Sequence, residues 1–410
     1  MSAPNRSVLF VHHRDIVSPY GATVPHYLST ELSESADVHV VCRGGDAALE
    51  GRAARSAVTY HRLDTGDVPV VSGILFVALS TLLAGYLGAR HRFDAVYSFQ
   101  WTLVHGWLAA VTGDSRWVVG LQSVPVRQRA DFLSSGGGIE PRKRLAFALK
   151  SVYAAVVGAA LERCTELVCL TEGIRRVTAE EYGIDPADAT VVGMGVDVES
   201  FAAGEPSSER ERDAEWVITY VGSIGGVRGI EHVIDAVATT DRDVEFRIAG
   251  DGHEGFIRRM KRKCRELGVD DRVRWYGYVD HEAVPDLLAE TDVAISPLKP
   301  IESYQISFPA KLLEYMAAGT LVVATEVEAQ RSLIDDGRNG YLYEAGADEL
   351  VAALDRCFDD EPSHPTVRRR ARETAAEYDW DVIVDAHRAL LFDGATAPAP
   401  RRSEAGAVGR

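Results

Sequence analysis

Short apolar runs alternate with longer amphipathic segments along most of the chain, and this pattern predicts parallel α/β architecture. Buried strands are predicted at 7–11, 38–42, 95–99, 117–121, 167–170 and 189–192 in the first half. In the second half they are predicted at 216–221, 244–249, 273–276, 292–297 and 321–324. Helical stretches separate most of these runs, and parallel strands need such crossover connections.

Residues 306–325 read as a helix that leads into a buried strand. Ser307 is expected to accept a hydrogen bond from an N–H at the helix start, and Pro309 suits the first turn. Lys311 and Glu314 fall on the polar side of this helix. The segment therefore suits a ligand with anionic phosphates and a hydroxylated sugar. The alternative is an ordinary amphipathic helix whose Lys311–Glu314 pair is solvated.

Two glycine-rich turns follow predicted strands in the second half. The first, at 222–229, leaves backbone N–H groups free for phosphate, and Arg228 adds a cation with bidentate geometry. The second, at 250–255, matches G-x-G-x-x-G. A dinucleotide fold also needs an acidic residue at the end of the next strand, and the strand at 273–276 runs into glycine instead.

These segments together resemble the family 4 glycosyltransferases with the GT-B fold. The resemblance implies an α/β protein with two Rossmann-like parallel-sheet domains that face each other across a cleft. It suggests an acceptor-side domain over 1–200 and a nucleotide-sugar domain over 216–377. A linker over 201–215, a crossover helix over 378–391 and a disordered tail over 392–410 complete this organisation.

The resemblance also suggests roles for individual residues. Glu314 matches the glutamate that holds the ribose hydroxyls, whereas the family's first glutamate is replaced here by Ile306. Ser223 stands where the family has arginine. The candidates for donor binding are Gly21, Gly222, Ser223, Gly250, Tyr278, Ser307 and Phe308. The candidates for the reaction are Arg228, Lys311 and Glu314.

Composition narrows the possible partners and the compartment. The net charge of −17 argues against nucleic acid. The five cysteines are scattered and form no zinc-type cluster, so we expect neither a metal nor a cofactor. An odd number of cysteines without a secretory leader favours a cytoplasmic protein, and any membrane contact is then expected at the inner face of the cell membrane.

Two segments raise the question of membrane contact. Residues 68–89 contain no charge, and about 20 apolar residues can span a bilayer. The serines, proline and glycines in this segment favour a buried or membrane-touching helix over a true span. Residues 141–163 join a basic cluster to an apolar stretch, which suits either an anionic membrane surface or a core helix.

The sequence therefore predicts a metal-independent glycosyltransferase of the hexosyltransferase type. It would move a sugar from a nucleoside-diphosphate sugar to a lipid-linked or glycan acceptor, with retention of anomeric configuration implied by the resemblance. One alternative is a binding or scaffold protein that kept the fold and lost turnover. A remote alternative is a dinucleotide-dependent oxidoreductase that uses residues 250–255.

Overall fold

A computed structural model describes residues 6–17, 23–45, 49, 51–66, 69–124, 155–202 and 214–394. The chain divides into two compact units. Unit 1 comprises Met1–Met194 together with Trp380–Arg401. Unit 2 contains Gly195–Asp379. The first unit is thus assembled from both ends of the chain.

Unit 1 is built on a seven-stranded parallel sheet with the order β3-β2-β1-β4-β5-β6-β7. Its strands are β1 Arg6–Val11, β2 Ala36–Arg43, β3 Thr59–Leu63, β4 Ala95–Phe99, β5 Arg116–Leu121, β6 Glu166–Cys169 and β7 Ala189–Val191. The central strand β1 pairs in register on both sides, with Val8 opposite Val38 of β2 and Ala95 of β4. Both faces are covered, which explains why β4 is buried along its whole length.

Helices cover the sheet of unit 1. They are α1 Thr23–Leu32, α2 Gly51–Arg55, α3 Pro69–His91, α4 Leu103–Gly113 and α5 Glu172–Tyr182, and residues 155–161 are also helical. The last helix of the chain, which we number α15, spans Trp380–Arg388 and continues as a π-helical turn, Ala389–Asp393. The Trp380 ring stacks on Tyr27 of α1 with ring centroids 4.5 Å apart, which ties this C-terminal helix to unit 1.

Unit 2 has a six-stranded parallel sheet with the order β10-β9-β8-β11-β12-β13. Its strands are β8 Trp216–Val221, β9 Val244–Ala249, β10 Val273–Gly277, β11 Val293–Ser296, β12 Leu321–Thr325 and β13 Tyr341–Tyr343. Its helices are α6 Val198–Phe201, α7 Ile230–Thr239, α8 Glu254–Leu267, α9 Val284–Ala289, α10 Glu302–Ile306, α11 Ala310–Ala318, α12 Glu328–Arg331, α13 Ala347–Asp359 and α14 His364–Ala376. Short 3₁₀ turns lie at Pro186–Asp188 in unit 1 and at His281–Ala283 and Glu361–Ser363 in unit 2.

The strand order of unit 2 reverses between β8 and β11. In open parallel sheets, ligands bind at the carboxyl ends of the strands where the order reverses. The turn that begins at Gly222 follows β8, so it opens at this position. The glycine-rich turn identified in the sequence therefore lies at the position where parallel sheets bind ligands.

The strands that were predicted from apolar runs are present, whereas two others escaped prediction. Strands β4, β8 and β9 have the predicted bounds, and the remaining predicted strands differ by one or two residues at their ends. The sequence analysis missed β3 and β13, which are the outer strands on one side of each sheet. Strand β3 has no continuous apolar run, and β13 is only three residues long.

The prediction for the start of the helix at 306–325 was wrong. Helix α11 begins at Ala310, with Pro309 in the capping position and no side-chain capping bond. Ser307 instead ends the short helix α10 in an extended conformation. At the other end, Gly319 caps α11 with φ 73°.

Other predicted segments have different bounds or lie beyond the described residues. The closing helix begins at Trp380 and not at 378. Most of the predicted linker over 201–215, the tail beyond 394 and residues 141–154 of the basic segment lie outside the described part of the chain.

Candidate functional site

Three glycines bring the carboxyl ends of β8, β9 and β10 close together. The Gly222 N–H donates to the Ala249 carbonyl (2.8 Å), and the Gly250 N–H donates to the Gly277 carbonyl (2.6 Å). A Cβ added at Gly250 would lie 1.8 Å from the Gly222 carbonyl oxygen. Gly222 and Gly250 have φ of +141° and +147°, which side chains rarely tolerate. Glycine is therefore required at these positions because protein atoms occupy the space that a Cβ would take.

Lys311 lies directly against this backbone. It occupies the first turn of α11, and a Cβ added at Gly222 would lie 2.0 Å from its Cε and 2.6 Å from its Nζ. Burial lowers the pKa of the Lys311 ammonium, the nearby Glu314 carboxylate raises it, and the Arg228 guanidinium lowers it. A cation is thus held in a partly desolvated position beside the glycine turn, where an anion would stabilise its charge.

Arg228 places a second cation near the same turn. Its guanidinium carbon lies 5.1 Å from the centre of the Tyr304 ring, at cation–π distance. The backbone N–H of Arg228 donates to the Gly225 carbonyl (2.9 Å), which closes the turn. Among the residues that the structure describes, no carboxylate pairs with Arg228 or with Lys311. Two neighbouring cations therefore remain available to a ligand.

Ser223, which follows Gly222, is exposed. Its carbonyl oxygen accepts a hydrogen bond from the hydroxyl of Tyr220 (2.7 Å), so a strand residue fixes the start of the turn. Burial raises the pKa of the Tyr220 phenol to about 12, and this group therefore remains a neutral donor. The bond orients the turn without adding charge to it.

Glu314 lies one turn beyond Lys311 on α11, and its carboxylate is held by a histidine. The Nε2 atom of His281 is 3.0 Å from Oε1 of Glu314. This bond raises the pKa of His281, burial opposes the shift, and Asp197 adds to it. The pair fixes one oxygen of Glu314, whose side chain is still 21% exposed. The remaining oxygen can accept a hydrogen bond from a hydroxyl.

Tyr315 connects α11 to the end of β8. Its hydroxyl accepts from the Val221 N–H (3.0 Å) and donates to the Val221 carbonyl (3.2 Å). The ring is fully buried. This side chain therefore fixes the helix that carries Lys311 and Glu314 to the strand that leads into Gly222.

The other predicted binding residues have different surroundings. Tyr278 follows β10 and is 61% exposed. Phe308 packs against a buried cluster of unit 2, with its ring centroid 6.0 Å from that of Tyr378. Phe308 thus supports the core, and its ligand role stays a prediction, as does that of Ser307. Gly21 lies outside the described residues.

The contacts that sequence reasoning missed are those of His281, Tyr304 and Tyr315. Tyr315 could have been identified from the sequence, since it follows Glu314 directly on the predicted helix. His281 and Glu314 are 33 residues apart, so periodicity gives no hint of their hydrogen bond. Tyr304 lies in a short helix that the sequence analysis did not anticipate.

The corresponding edge of unit 1 carries buried histidines. His12 follows β1, and burial lowers the pKa of its imidazole to about 3, while that of His13 is lowered to about 4. Both are therefore neutral near pH 7. The Gln122 N–H donates to Oε1 of Gln100 (2.7 Å), a contact that fixes the loop after β5.

Comparison with known proteins decides the family. Residues 21–200 match the model of "Glycosyltransferase Family 4", and residues 204–377 match "Glycosyl transferases group 1". The chain belongs to the family 4 glycosyltransferases. Both sheets thus carry a recognised part of one enzyme fold, GT-B, and the chain is a glycosyltransferase.

Curated relatives and a solved structure agree with this family. The chain is 27% identical over 347 residues to a D-inositol 3-phosphate glycosyltransferase of Kribbella flavida, covering 80% of this chain and 77% of the relative. It is 29% identical over 237 residues to a phosphatidyl-myo-inositol mannosyltransferase of Mycolicibacterium smegmatis, covering 57% and 58%. The structure of Anabaena Alr3699/HepE in complex with UDP superposes with a TM-score of 0.73 at 17% identity, covering 95% of this chain and 100% of that one.

Family membership also removes the oxidoreductase alternative. The G-x-G-x-x-G at 250–255 is one of the glycine turns of the glycosyltransferase domain, within the matched residues. Within the described part of the chain, no group of three or more His, Cys, Asp or Glu residues could hold a metal ion. The predicted independence from metal and cofactor stays a prediction.

Proposed function

We propose that this glycosyltransferase takes a nucleoside-diphosphate sugar as its donor, bound by unit 2 at the glycine turn after β8. The observation that carries the proposal is the pair of cations, Lys311 and Arg228, that converge on this turn without a carboxylate partner among the described residues. A partly desolvated cation such as Lys311 is costly unless an anion neutralises it. A diphosphate at the turn would supply that charge beside the Lys311 ammonium, which lies against Gly222.

The proposed reaction exchanges one bond for another at the anomeric carbon. The bond from this carbon to the β-phosphate oxygen breaks, and a bond to an acceptor hydroxyl oxygen forms as that hydroxyl loses its proton. Negative charge grows on the departing diphosphate. Lys311 and Arg228 would stabilise this charge, and the free oxygen of Glu314 would orient the ribose. We also propose retention of anomeric configuration, which the family resemblance suggests.

We also propose a lipid-linked or glycan acceptor. Support comes from the Mycolicibacterium smegmatis relative, whose name describes transfer to phosphatidyl-myo-inositol. The Kribbella flavida relative is named for a water-soluble inositol phosphate. An acceptor panel should therefore contain both a phosphoinositol lipid and the corresponding free phosphate.

Donor binding tests this proposal most directly. UDP-, GDP- and ADP-sugars are titrated calorimetrically into the wild type and into Lys311→Met, Arg228→Leu and Glu314→Gln. Lys261→Met serves as a matched control. Lys261 belongs to α8, and its ammonium lies over the Trp275 ring of β10, away from the turn. Each site variant should bind the donor more weakly than the wild type in the titration and should lose roughly 10²-fold or more in kcat/KM in transfer assays, whereas the control should match the wild type in both.

The outcomes separate the proposal from its alternative. Binding of a donor that survives both Lys311→Met and Arg228→Leu would place the phosphates elsewhere. Donor binding without turnover on any acceptor would favour the scaffold alternative. Proton NMR of the product's anomeric centre tests retention, and activity in excess EDTA tests metal independence.

A further inference from the structure

The outer face of helices α3 and α4 in unit 1 is unusually apolar. Of sixteen exposed large hydrophobic side chains in the described part of the chain, ten lie on these two helices. Several are more than half exposed, including Ile74 at 67% and Leu82 at 68%. We define the α3–α4 surface by its most prominent members, which are Val71, Ile74, Leu82, Tyr86, Trp107 and Val111.

The two helices form one continuous surface because they pack in very close contact. A Cβ added at Gly85 would lie 2.9 Å from the Leu108 side chain, and one added at Gly88 would lie 2.3 Å from the Ala109 carbonyl oxygen. Small residues on α3 thus allow α4 to approach backbone to backbone. An apolar patch of this extent on a soluble monomer typically marks an interaction site.

Helix α3 is a packed element of unit 1 and also has the length of a membrane span. Its segment Val71–His91 has a mean hydropathy of 1.9, and 39% of it is buried. Phe76, Ala84 and Leu87 form its buried face. The opposite face is exposed, so the helix is anchored in the α/β fold on one side and apolar on the other.

Charge along this surface is distributed in a way that suits lipid headgroups. In a protein of net charge −17, no carboxylate occurs between Asp67 and Asp94, and none occurs within α4. The basic residues Arg90, His91 and Arg92 are exposed at the end of α3. This region therefore complements an anionic surface, although the protein as a whole repels one.

The kinds of side chain along α3 also resemble those of a helix at a membrane interface. Ile74 and Leu82 come first, Tyr86 follows, and Arg90 lies one turn further on. The close contact of Gly85 with Leu108 places Trp107 of α4 near the level of Tyr86. A helix that lies in the plane of a membrane interface combines the same kinds of side chain, with apolar and aromatic residues toward the lipid and cations near the headgroups.

These observations favour a bilayer over a second copy of the chain. Protein interfaces carry roughly one hydrogen bond per 100–200 Å², whereas the acyl region of a lipid requires none. The outward face between Val71 and Leu82 offers almost only hydrocarbon. We propose that the α3–α4 surface docks on the surface of an anionic lipid bilayer.

This surface reaches the end of the sheet where ligands bind in parallel α/β folds. Arg43, the last residue of β2, places its guanidinium carbon 5.2 Å from the centre of the Phe76 ring and its Nη2 atom 3.5 Å from Oγ of Ser72. The first turns of α3 thus lie beside the carboxyl end of the unit 1 sheet. A docked bilayer would bring lipid acceptors near that edge. The docking itself does not depend on the proposed function, since vesicle binding requires no transfer.

Flotation of the full-length protein with lipid vesicles tests the proposal. Vesicles of phosphatidylcholine alone are compared with vesicles containing phosphatidylglycerol, at low and high salt. The wild type should float with anionic vesicles, and Ile74→Ser/Leu82→Ser should bind roughly tenfold or more weakly. Arg90→Gln should weaken binding to anionic vesicles roughly fivefold and leave neutral vesicles unaffected. Leu267→Ser, at an exposed leucine on α8, is the matched control and should bind as the wild type.

Size-exclusion chromatography with light scattering completes the design. A dimer that dissociates in Ile74→Ser/Leu82→Ser would identify a second copy as the occupant and overturn the proposal. A monomer that ignores vesicles would also overturn it, because another part of the chain would then cover the surface. Circular dichroism and donor binding by unit 2 show that each variant is folded, and they distinguish failed docking from failure of the proposed function.

Discussion

Replacing Gly222 with alanine tests how the glycine turn and Lys311 act together. The added methyl group would lie 2.0 Å from Cε of Lys311, well inside van der Waals contact. The clash involves a flexible side chain, so the lysine can move aside. Its ammonium would then leave the position beside the turn where we place the donor phosphates.

Two contributions to the expected effect follow from the structure. Alanine at a φ of +141° stores strain of roughly 1–3 kcal/mol, which corresponds to a loss of about 2–12 °C in Tm for a unit of this size. Displacing one preorganised cation from a transition-state anion costs roughly 10²–10³-fold in rate. The loss of kcat/KM should therefore greatly exceed what the modest destabilisation explains at 25 °C.

Gly225→Ala provides the matched control in the same turn. Gly225 lacks a left-handed φ, and a Cβ added there would meet nothing within 4 Å. Differential scanning fluorimetry gives Tm, and steady-state kinetics with the identified donor gives kcat/KM. Wild-type kinetics for Gly222→Ala, or equal losses for both variants, would refute the role assigned to Lys311 at this turn.

Three further predictions concern single side chains. The hydrogen bond with Glu314 raises the pKa of His281, so the stability that the His281–Glu314 pair contributes is fully present below pH 6.5 and is lost as pH rises through the raised pKa. His281→Gln should abolish this pH dependence of the free energy of unfolding. Burial lowers the pKa of Lys311, so donor affinity should fall with rising pH, and Lys311→Arg should flatten the calorimetric pH profile because arginine stays charged. Tyr315→Phe removes the hydrogen bonds to the buried Val221 backbone and should lower the free energy of unfolding in urea by roughly 1–3 kcal/mol. The control is Tyr343→Phe, which should cost less because the Tyr343 hydroxyl has no hydrogen-bond partner among the described residues. Equal costs for the two variants would contradict this account.

The inner strands could be predicted from the sequence because a strand buried on both faces appears there as a run of apolar residues. Strands such as β8 and β9 are buried between helices and need consecutive apolar residues, which define their bounds. The outer strand β3 is only partly buried, so its sequence, Thr-Tyr-His-Arg-Leu, shows no apolar run. Strand β13 is three residues long. An outer strand is specified by its neighbour's free backbone groups more than by its own composition.

The site was predictable where its signals are local. The glycine turn, Lys311 and Glu314 all belong to short patterns within one strand–turn–helix unit. Hydrogen bonds between residues that are far apart in the sequence, such as the one between His281 and Glu314, leave no such pattern. The misplaced start of α11 has a local cause, because Pro309 adopts ψ 62° and interrupts the helical path. Ser307 therefore lies before the helix and cannot cap it.

The division of unit 1 between both ends of the chain has a consequence for biosynthesis. A ribosome releases all seven strands of its sheet before unit 2 exists, yet α15 emerges only after residue 379. Until then Tyr27 lacks the Trp380 ring that stacks on it, and Tyr97 lacks its neighbour His387 at 5.8 Å. The domain that is synthesised first is thus completed last, and nascent chains must keep an unfinished apolar surface through the whole translation of unit 2.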